Sequence, residues 1–497
     1  MHNPLILALD IGTSSVRAAL YDGDANVLPE TMVKNERTLD ATDDGGAEID
    51  ANAGFKQIVS AIDDVLLKSV HVGGEITYCA ASSFWHSLLG VDAGGKPTTK
   101  VFGWADTRSR NYVAKLRTML DETEVHNRTG ARFHPSFWPA KLMWLRKEHP
   151  DVFKRTAKWI SFSDYVGMKL FADANPVTSV SMASATGIFD VRKCDWDAPL
   201  LKRLSIGRGK LPDISSTDTA LFRLNARYKR RWKKLADTQF RFAIGDGAAN
   251  NIGAGCVTRS KAALMIGTSG AMRVAYKGKP PANIPAGLWC YRIDRGRVII
   301  GGALSDGGGL YRWLKDNLRL DGPDDSVEAE IARRPPAGHG LAFMPFLAGE
   351  RSTGYHEFAT GAVIGLHTAT DSIDIVQSAL ESVAYRFADI FEQLNGVAKI
   401  SEIIASGGAL RESPVWTQII TDVLDRKLTL PDTQEASSRG AVLLALETLG
   451  RIDNIQSLPL PEGKRFDPII TRRKPYAEAR ERHQYFYDRI LDTDTKS

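Results

Sequence analysis

Residues 5–21 read LILALDIGTSSVRAALY, two apolar runs around a short polar turn. Leu5 to Leu9 has the length and composition of a buried strand, and Val16 to Tyr21 reads as a second. Between them Asp10-Ile11-Gly12-Thr13-Ser14-Ser15 brings one glycine and three hydroxyls, residue types that tight turns accept. A similar unit returns about 255 residues later: Ala262 to Met265, then Ile266-Gly267-Thr268-Ser269-Gly270, then Ala271 to Tyr276. The tetrapeptide Ile-Gly-Thr-Ser occurs in both. Gly, Thr and Ser are common in any turn, so the echo carries weight only because apolar strands flank both copies. It points to two domains built on one plan. A boundary between Gly253 and Ser260 gives domains 1–254 and 255–497, which suits a chain of 497 residues.

Outward from the hairpins, helical periodicity dominates at Lys141–Lys147, Ile373–Leu394, Trp416–Leu424, Ser438–Leu449 and Tyr476–Leu491. Strands alternating with helices argue for α/β layers. Gly322–Asp325 and Pro335–Gly340 read as surface loops. The 43% hydrophobic and 25% charged fractions exclude a fibrous or wholly disordered chain. With 64 Lys+Arg against 59 Asp+Glu, the net +5 is too small to indicate nucleic-acid binding. The one dense basic segment, RLNARYKRRWKK at 223–234, reads as a solvated helix face for the same reason. Cys79, Cys194, Cys256 and Cys290 form no CxxC pair, so the expectation is a reduced, cytoplasmic protein without a zinc knuckle or disulfide scaffold. Leu5–Leu9 is too short for a signal core, and no stretch has the length of an apolar membrane span.

The motifs suggest phosphate chemistry. Backbone N–H groups of the first turn, with the hydroxyls of Thr13, Ser14 and Ser15, can cradle phosphate oxygens. Asp10 at the strand end can hold Mg²⁺ directly or through water, and Arg17 adds a fixed positive charge. The plainer alternative is an ordinary hairpin whose hydroxyls face water. The second turn offers Gly267, Thr268, Ser269 and Gly270, but Met265 stands where the first has Asp10. If both bind phosphate, only the first anchors a metal, which fits one nucleotide lying between two related domains. Ile400–Ile404 runs into Ser406-Gly407-Gly408-Ala409 and then a helix carrying Trp416, Ile419, Ile420 and Val423. Such a turn lets a ligand approach backbone closely, or simply packs helix on strand; it does not match GxGxxG. In IGDGAANNIGAG, Asp246 is a lone carboxylate among small residues on a loop entering a helix. It reads either as the base of a phosphoryl transfer or as a helix N-cap. Two further clusters, Ser82-Ser83-Phe84-Trp85-His86-Ser87 and Gly103-Trp104-Ala105-Asp106-Thr107-Arg108, mix aromatics with groups that grip hydroxyls. Each alone reads more simply as a satisfied core histidine or a surface ion pair.

Taken together, these residues strongly resemble the FGGY carbohydrate kinases of the actin, sugar-kinase and Hsp70 superfamily, over about residues 5–450. Gly361-Ala362-Val363-Ile364-Gly365-Leu366, followed by Asp374-Ile375-Val376-Gln377-Ser378-Ala379-Leu380-Glu381, resembles the family's C-terminal signature. DIGTSSVRAAL, IGTSGAMRV and SGGALRESPVW resemble its two phosphate motifs and its nucleotide motif, in order. SSFWHSL, GWADTRS, TGARFHP, KLMWLRKEHPDVF, MASATGIFD, GDGAANNIGAG and LWCYRID are most similar to gluconokinases. The resemblance implies an α/β protein of two ribonuclease-H-like domains flanking a cleft, the first mainly binding sugar and the second mainly ATP. ATP would lie on Gly407, Gly408 and Ala409, with its phosphates at Asp10, Gly12, Thr13, Ser14, Ser15, Arg17, Gly267, Thr268 and Ser269. Mg²⁺ would sit near Asp10. The sugar would meet Trp85, His86, Asp106, Arg108 and His134, with Asp246 as base. The expected reaction is ATP-dependent phosphorylation of D-gluconate to 6-phosphogluconate. The alternatives are a pentulose or polyol kinase and, in a different class, an actin- or Hsp70-like ATPase without a sugar. A homodimer is compatible with the resemblance; nucleic acid and membrane are not expected partners. Three departures stand out: Trp85 where a smaller or flexible residue is usual, Asp306 for Asn and Thr353 for Pro. Trp85 could border the sugar and shorten its pocket. Arg108 is the expected grip for a sugar acid's carboxylate, unless it pairs with Asp106 and only shapes the wall.

Overall fold

The computed structural model describes residues 4–491 apart from 38, 173–174, 220, 321–323 and 433–434. Its first sheet contains β1 (Leu5–Ile11), β2 (Ser15–Tyr21), β3 (Val33–Glu36), β4 (Ile76–Ser83), β5 (Leu221–Phe222), β6 (Gln239–Arg241) and β7 (Ile244–Gly245). The order is β5-β6-β4-β1-β2-β3, with β7 also on β4. The second contains β8 (Lys261–Ile266), β9 (Gly270–Lys277), β10 (Trp289–Arg292), β11 (Arg297–Leu304), β12 (Glu402–Ser406), β13 (Leu428–Pro431) and β14 (Gly463–Phe466), ordered β10-β11-β9-β8-β12-β13-β14. Inside both sheets lies one pattern. Three antiparallel strands, β3-β2-β1 and β11-β9-β8, are extended by two parallel ones, β4-β6 and β12-β13. The duplication expected from the two hairpins is therefore a duplication of whole sheets, which gives the expected α/β protein of two like domains.

The apolar runs form strands because helices cover both faces of the sheets. In β1, Leu5, Leu7 and Leu9 pack with Phe55, Ile58, Ile62 and Val65 of α1 (Ala51–Lys68). The alternate residues Ile6 and Ala8 pack with the other face's cover. The longest helices of the second half reproduce their sequence periodicity. Ile373–Leu394 lies in Ser372–Ala398, opened by a reciprocal Asp371–Asp374 capping box, and Tyr476–Leu491 in Arg473–Leu491. Lys141–Lys147, Trp416–Leu424 and Ser438–Leu449 fall within Trp138–Glu148, Pro414–Leu424 and, but for its last residue, Ala436–Thr448. The division at 254/255 separates the sheets but not the packing. Ala436–Thr448, from the second half, lies on the first sheet and crosses Asp246–Gly253. A Cβ at Gly253 would stand 1.8 Å from the Ala436 carbonyl oxygen, and one at Gly440 1.8 Å from that of Ala249. Two glycines thus let the halves meet backbone to backbone under the cleft.

Some local expectations shift. The strands of the first hairpin run further than the apolar residues, so Asp10 and Ile11 belong to β1 and Ser15 to β2, leaving a turn of Gly12–Ser14. β12 starts at Glu402 rather than Ile400. Gly322 and Pro323 of the first expected loop lie outside the described residues, and a helix begins at Asp324; Pro336–His339 is a turn. In the basic segment Leu224, Tyr228 and Trp232 are buried in the core, while Arg231 pairs with Asp63 at the surface. Its aromatics are therefore unavailable to stack on bases. The four cysteines are free thiols, three of them buried. Among the described residues no helix is long and apolar enough to cross a membrane.

Candidate active site

Cross-strand pairing places Asp10 opposite Arg17, so the two side chains share one face of the sheet at the cleft end. Asp10 is 6% exposed, accepts a 2.6 Å hydrogen bond from Ser82 Oγ, and lies 3.7 Å from the Arg17 guanidinium. Burial nevertheless pushes its carboxyl above the usual range. Arg17 is shared with Glu435, 3.4 Å away at the N-terminus of the Ala436–Thr448 helix. Of the expected N–H donors, those of Gly12 and Gly267 are occupied within their own turns, by Ser15 and Ser269 carbonyls at 2.9 and 3.0 Å. Ser15 lies buried in β2. Thr13, Ser14, Thr268 and the rest of each turn remain to meet a ligand.

Asp246 stands where β7 hands over to the Asp246–Gly253 helix, with Gly245 rather than Asp246 as the N-cap. One carboxylate oxygen accepts the Gly247 N–H at 2.8 Å. Its carboxyl is pushed up to about 6, first by burial and also by the charge of Asp10; Arg273 and the backbone N–H groups of Gly247 and Trp85 pull the other way. The Gly245–Gly247 turn can lie so low because its glycines leave room for Trp85. A Cβ at Gly245 would fall 1.8 Å from that indole and one at Gly247 2.6 Å. Trp85 is 5% exposed, donates its indole N–H to the Ser181 carbonyl, and packs on Trp289 and Tyr291. The ring expected to border the sugar is therefore the floor beneath Asp246.

On the other side of the cleft β12 runs into Gly407, held at φ +105°, where a Cβ would stand 2.1 Å from the Ile266 carbonyl oxygen. Only glycine fits, and this presses the Gly407-Gly408-Ala409 turn against the second hairpin. A cavity of about 460 Å³ joins the pieces: Arg17, Asp246, Gly247 and Asn250 with Met265, Gly267, Arg273, Ser406–Gly408 and Glu435. Buried donors without partners among the described residues face this region, the Ser406 hydroxyl and Nε and Nη1 of Arg273. Arg273, unexpected from the motifs, is a charged residue in the buried part of strand β9, whose other charge, Lys277, is its exposed last residue.

The expected sugar wall divides. His86 and His134 are each 7% exposed. His86 Nδ1 meets the Ala185 carbonyl at 2.7 Å and His134 Nδ1 the Ser136 hydroxyl at 3.0 Å. Burial, aided by nearby Arg351, pushes His86 down to about 3 and His134 well below its usual range, so both rings are neutral. Tyr291 and Tyr355, from the second half, stand against His86 and His134. Arg108 corrects an expectation. It is bound by Asp106 and, at 2.7 Å, by Glu48, and lies 5.1 Å over both Phe102 and Trp144. Asp106, 1% exposed, is in turn saturated by Arg108 and the Ala47 N–H. The pair shapes the wall, and its charges are internally matched.

The residues fit the groups that the resemblance implies. Glycine-lined backbone and unpartnered buried donors suit nucleotide phosphates. One or two carboxylates, Asp10 with Asp246, suit a Mg²⁺ that takes its other ligands from phosphate and water. Among the described residues there is no cluster of three or more His, Cys, Asp or Glu side chains that could hold a metal ion.

Comparison with known proteins gives consistent assignments. Residues 5–253 match the N-terminal domain, and residues 262–448 the C-terminal domain, of the FGGY family of carbohydrate kinases. A gluconokinase of Bacillus subtilis (strain 168) is 28% identical over 485 residues, 95% of this chain and 93% of that protein. The crystal structure of a gluconate kinase from Lactobacillus acidophilus superposes with a TM-score of 0.89 at 25% identity, covering 98% of both chains. A ligand-bound xylulose kinase from the same organism gives 0.90 at 25% identity and the same coverage.

Proposed function

Because the chain belongs to the FGGY family of carbohydrate kinases, we propose that it transfers the terminal phosphoryl group of ATP to the 6-hydroxyl of D-gluconate. The observation that carries the phosphoryl-transfer reading is the position of Asp246. It is a buried carboxylate at the junction of both hairpins and the Gly407 turn, ionised above about pH 6. There it orients the attacking hydroxyl and accepts its proton. The turns at Gly12–Ser14 and Gly267–Ser269 hold the phosphates, and Gly407, Gly408 and Ala409 lie under the nucleotide. Arg273, beside Asp246 and with Nε and Nη1 unpartnered among the described residues, offsets charge on the group in transfer. Mg²⁺, when bound near Asp10, supplies further charge neutralisation. Most of the rate enhancement on this reading is positioning and electrostatics, as phosphoryl transfer generally requires.

Gluconate is supported by the similarity to gluconokinases and by the segments around His86 and His134. A pentulose acceptor is the second reading, supported by the equal superposition on a xylulose kinase. The test is kcat/KM for gluconate, xylulose, ribulose, erythritol and glycerol under identical ATP and Mg²⁺. Gluconate is expected to lead. A neutral acceptor ahead by tenfold, about 1.4 kcal/mol of transition-state preference, ends the gluconate reading and leaves the kinase. Asp246→Asn should cost about 10²–10⁴ in rate with ATP still bound. Turnover of ATP that no acceptor stimulates would instead indicate an actin- or Hsp70-like ATPase.

A further inference from the structure

The cavity between the two halves is lined by buried donors and by buried acceptors, and the two sets suit different partners. The Ser406 hydroxyl and Nε and Nη1 of Arg273, without partners among the described residues, are donors that phosphate oxygens can meet directly. Two acceptors line the same cavity. Asn250 lies four residues after Asp246 on one helix, so the two share a face. It is 9% exposed, and its Oδ1 is buried with no partner among the described residues. Glu435 Oε2 is likewise buried and makes no hydrogen bond among the described residues. Phosphates bring only acceptors and negative charge, so neither group can meet them directly.

Glu435 is the more informative of the two. It precedes the Ala436–Thr448 helix at φ +62°, a left-handed conformation that a glutamate rarely adopts, and its side chain does not cap the helix. It reaches towards Arg17 instead. One nitrogen, Arg17 Nη1, lies 3.4 Å from Glu435 Oε2 and 3.7 Å from Asp10 Oδ2. The place between these carboxylates, one from each half of the chain, therefore already takes a cation. It takes that cation loosely, since 3.7 Å is beyond hydrogen-bond reach and Glu435 Oε2 lacks the geometry for a bond. A carboxylate kept in a cavity built for a polyanion repels it unless a cation stands between them.

We propose that Glu435 is a second carboxylate of the magnesium site. With Asp10 it holds the hydrated cation that accompanies ATP, acting through the ion's water, and Asn250 Oδ1 offers a further acceptor for that water. Arg17 then leaves the shared place for the phosphates. Two carboxylates with no third suit Mg²⁺, which keeps several of its waters. Asp246 stays free to act as the base. The inference rests on the phosphoryl-transfer reading above and not on the identity of the acceptor.

The experiment titrates the β,γ-imido analogue of ATP into the whole protein by calorimetry, once with Mg²⁺ and once with EDTA, and takes the ratio of the two affinities. In the wild type Mg²⁺ should tighten binding by at least about tenfold, the order of one charge-assisted contact. Glu435→Gln keeps the shape and gains a hydrogen-bond donor but loses the charge. It should remove most of that ratio by weakening the Mg²⁺ complex, with metal-free binding unchanged or tighter. Glu435→Gly should do the same, and glycine is at ease at φ +62°, so this variant keeps the backbone. Glu435→Asp should restore part of the ratio. Arg17→Gln should show the converse, weaker binding with and without Mg²⁺ at a ratio near that of wild type. An unchanged ratio in Glu435→Gln and Glu435→Gly overturns the proposal. Equal weakening of both affinities in these variants also overturns it and leaves Glu435 a structural partner of Arg17. A wild type that binds the analogue equally with Mg²⁺ and EDTA overturns it without any variant. A wild type that binds the analogue in neither condition ends the phosphoryl-transfer reading, and this proposal with it.

Discussion

The two glycine hairpins start from nearly the same tetrapeptide and occupy the same place in two sheets of the same order, yet they are built to different ends. The first is electrostatic. Asp10 and Arg17 face each other across the strands, Ser82 and Glu435 join them, and the Arg37 side chain ties back the Gly12 and Thr13 carbonyls. The second is steric. Met265 replaces the acid, and the carbonyls of Gly267 and Thr268 are tied back by backbone N–H groups of Gly307, Gly308 and Gly309 at 2.8–3.1 Å. In both, carbonyl oxygens that would repel phosphate are turned away from the cleft. One hairpin uses a guanidinium from a neighbouring strand end, the other the start of a helix. The comparison teaches that the tetrapeptide sets the turn, while the charge that distinguishes the two comes from residues outside it.

The largest effect should come from removing that charge. Asp10→Ala is expected to lower kcat by about 10²–10³, the scale of losing one preorganised electrostatic group, with acceptor affinity nearly unchanged. Met265→Ala should change kcat only a few-fold. Turnover across a Mg²⁺ titration, with calorimetry for the acceptor, checks both. Equal damage from the two substitutions, or equal loss of acceptor binding in Asp10→Ala, would make the first hairpin merely structural.

Untying the carbonyls should cost less. Arg37→Ala and Gly308→Ala should each raise the KM for ATP by about tenfold, one hydrogen bond's worth of free energy where charge is involved. The two differ in rescue. Arg37→Lys can still donate and should recover part of the loss. A Cβ at Gly308 would lie 2.6 Å from the Gly267 carbonyl oxygen, so no side chain there is tolerated. An unchanged KM in Arg37→Ala would reduce Arg37 to packing over Phe84 and Phe162.

Much of this arrangement was legible in the chain. The hairpins, the glycine pair at Gly407 and the helices rest on local patterns, turn glycines and 3.6-residue periodicity, which tertiary packing did not override. Asp246 was legible because a lone acid among small residues is unusual. What could not be read comes from segments far apart in sequence. Arg37 lies about 25 residues beyond the turn it supports; Glu435 and Arg351 come from the other half of the chain. Trp85 was taken for a wall because nothing local shows that Gly245 and Gly247, some 160 residues on, open a space for its ring beneath Asp246. Asp106 and Arg108 carried a correct alternative, an internal ion pair, but their spacing could not reveal Glu48, which completes it. One missed residue did leave a signal. Arg273 stands in the buried part of a strand, and a charge there is expensive unless it faces a site.

The smallest expected effect tests whether the hairpins differ in their influence on the base. Asp246 must be ionised to accept a proton, so kcat/KM in the wild-type enzyme should rise with pH to a plateau above about 6. Burial sets most of that value, and the negative charge of Asp10 raises it further; Arg273 opposes both. Removing the Asp10 charge with Asp10→Asn should therefore shift the acid limb of the residual activity to lower pH. Met265→Ala, which changes no charge, should leave it in place. Neither histidine of the acceptor wall can produce this limb, because His86 is pushed down to about 3 and His134 well below its usual range. The measurement is kcat/KM from about pH 4.5 to 8 for wild type and both variants, read as the pKa of the free enzyme's base. A limb unmoved in Asp10→Asn would mean that the two hairpins are electrostatically equivalent as seen from Asp246. The asymmetry between them would then end at the phosphates.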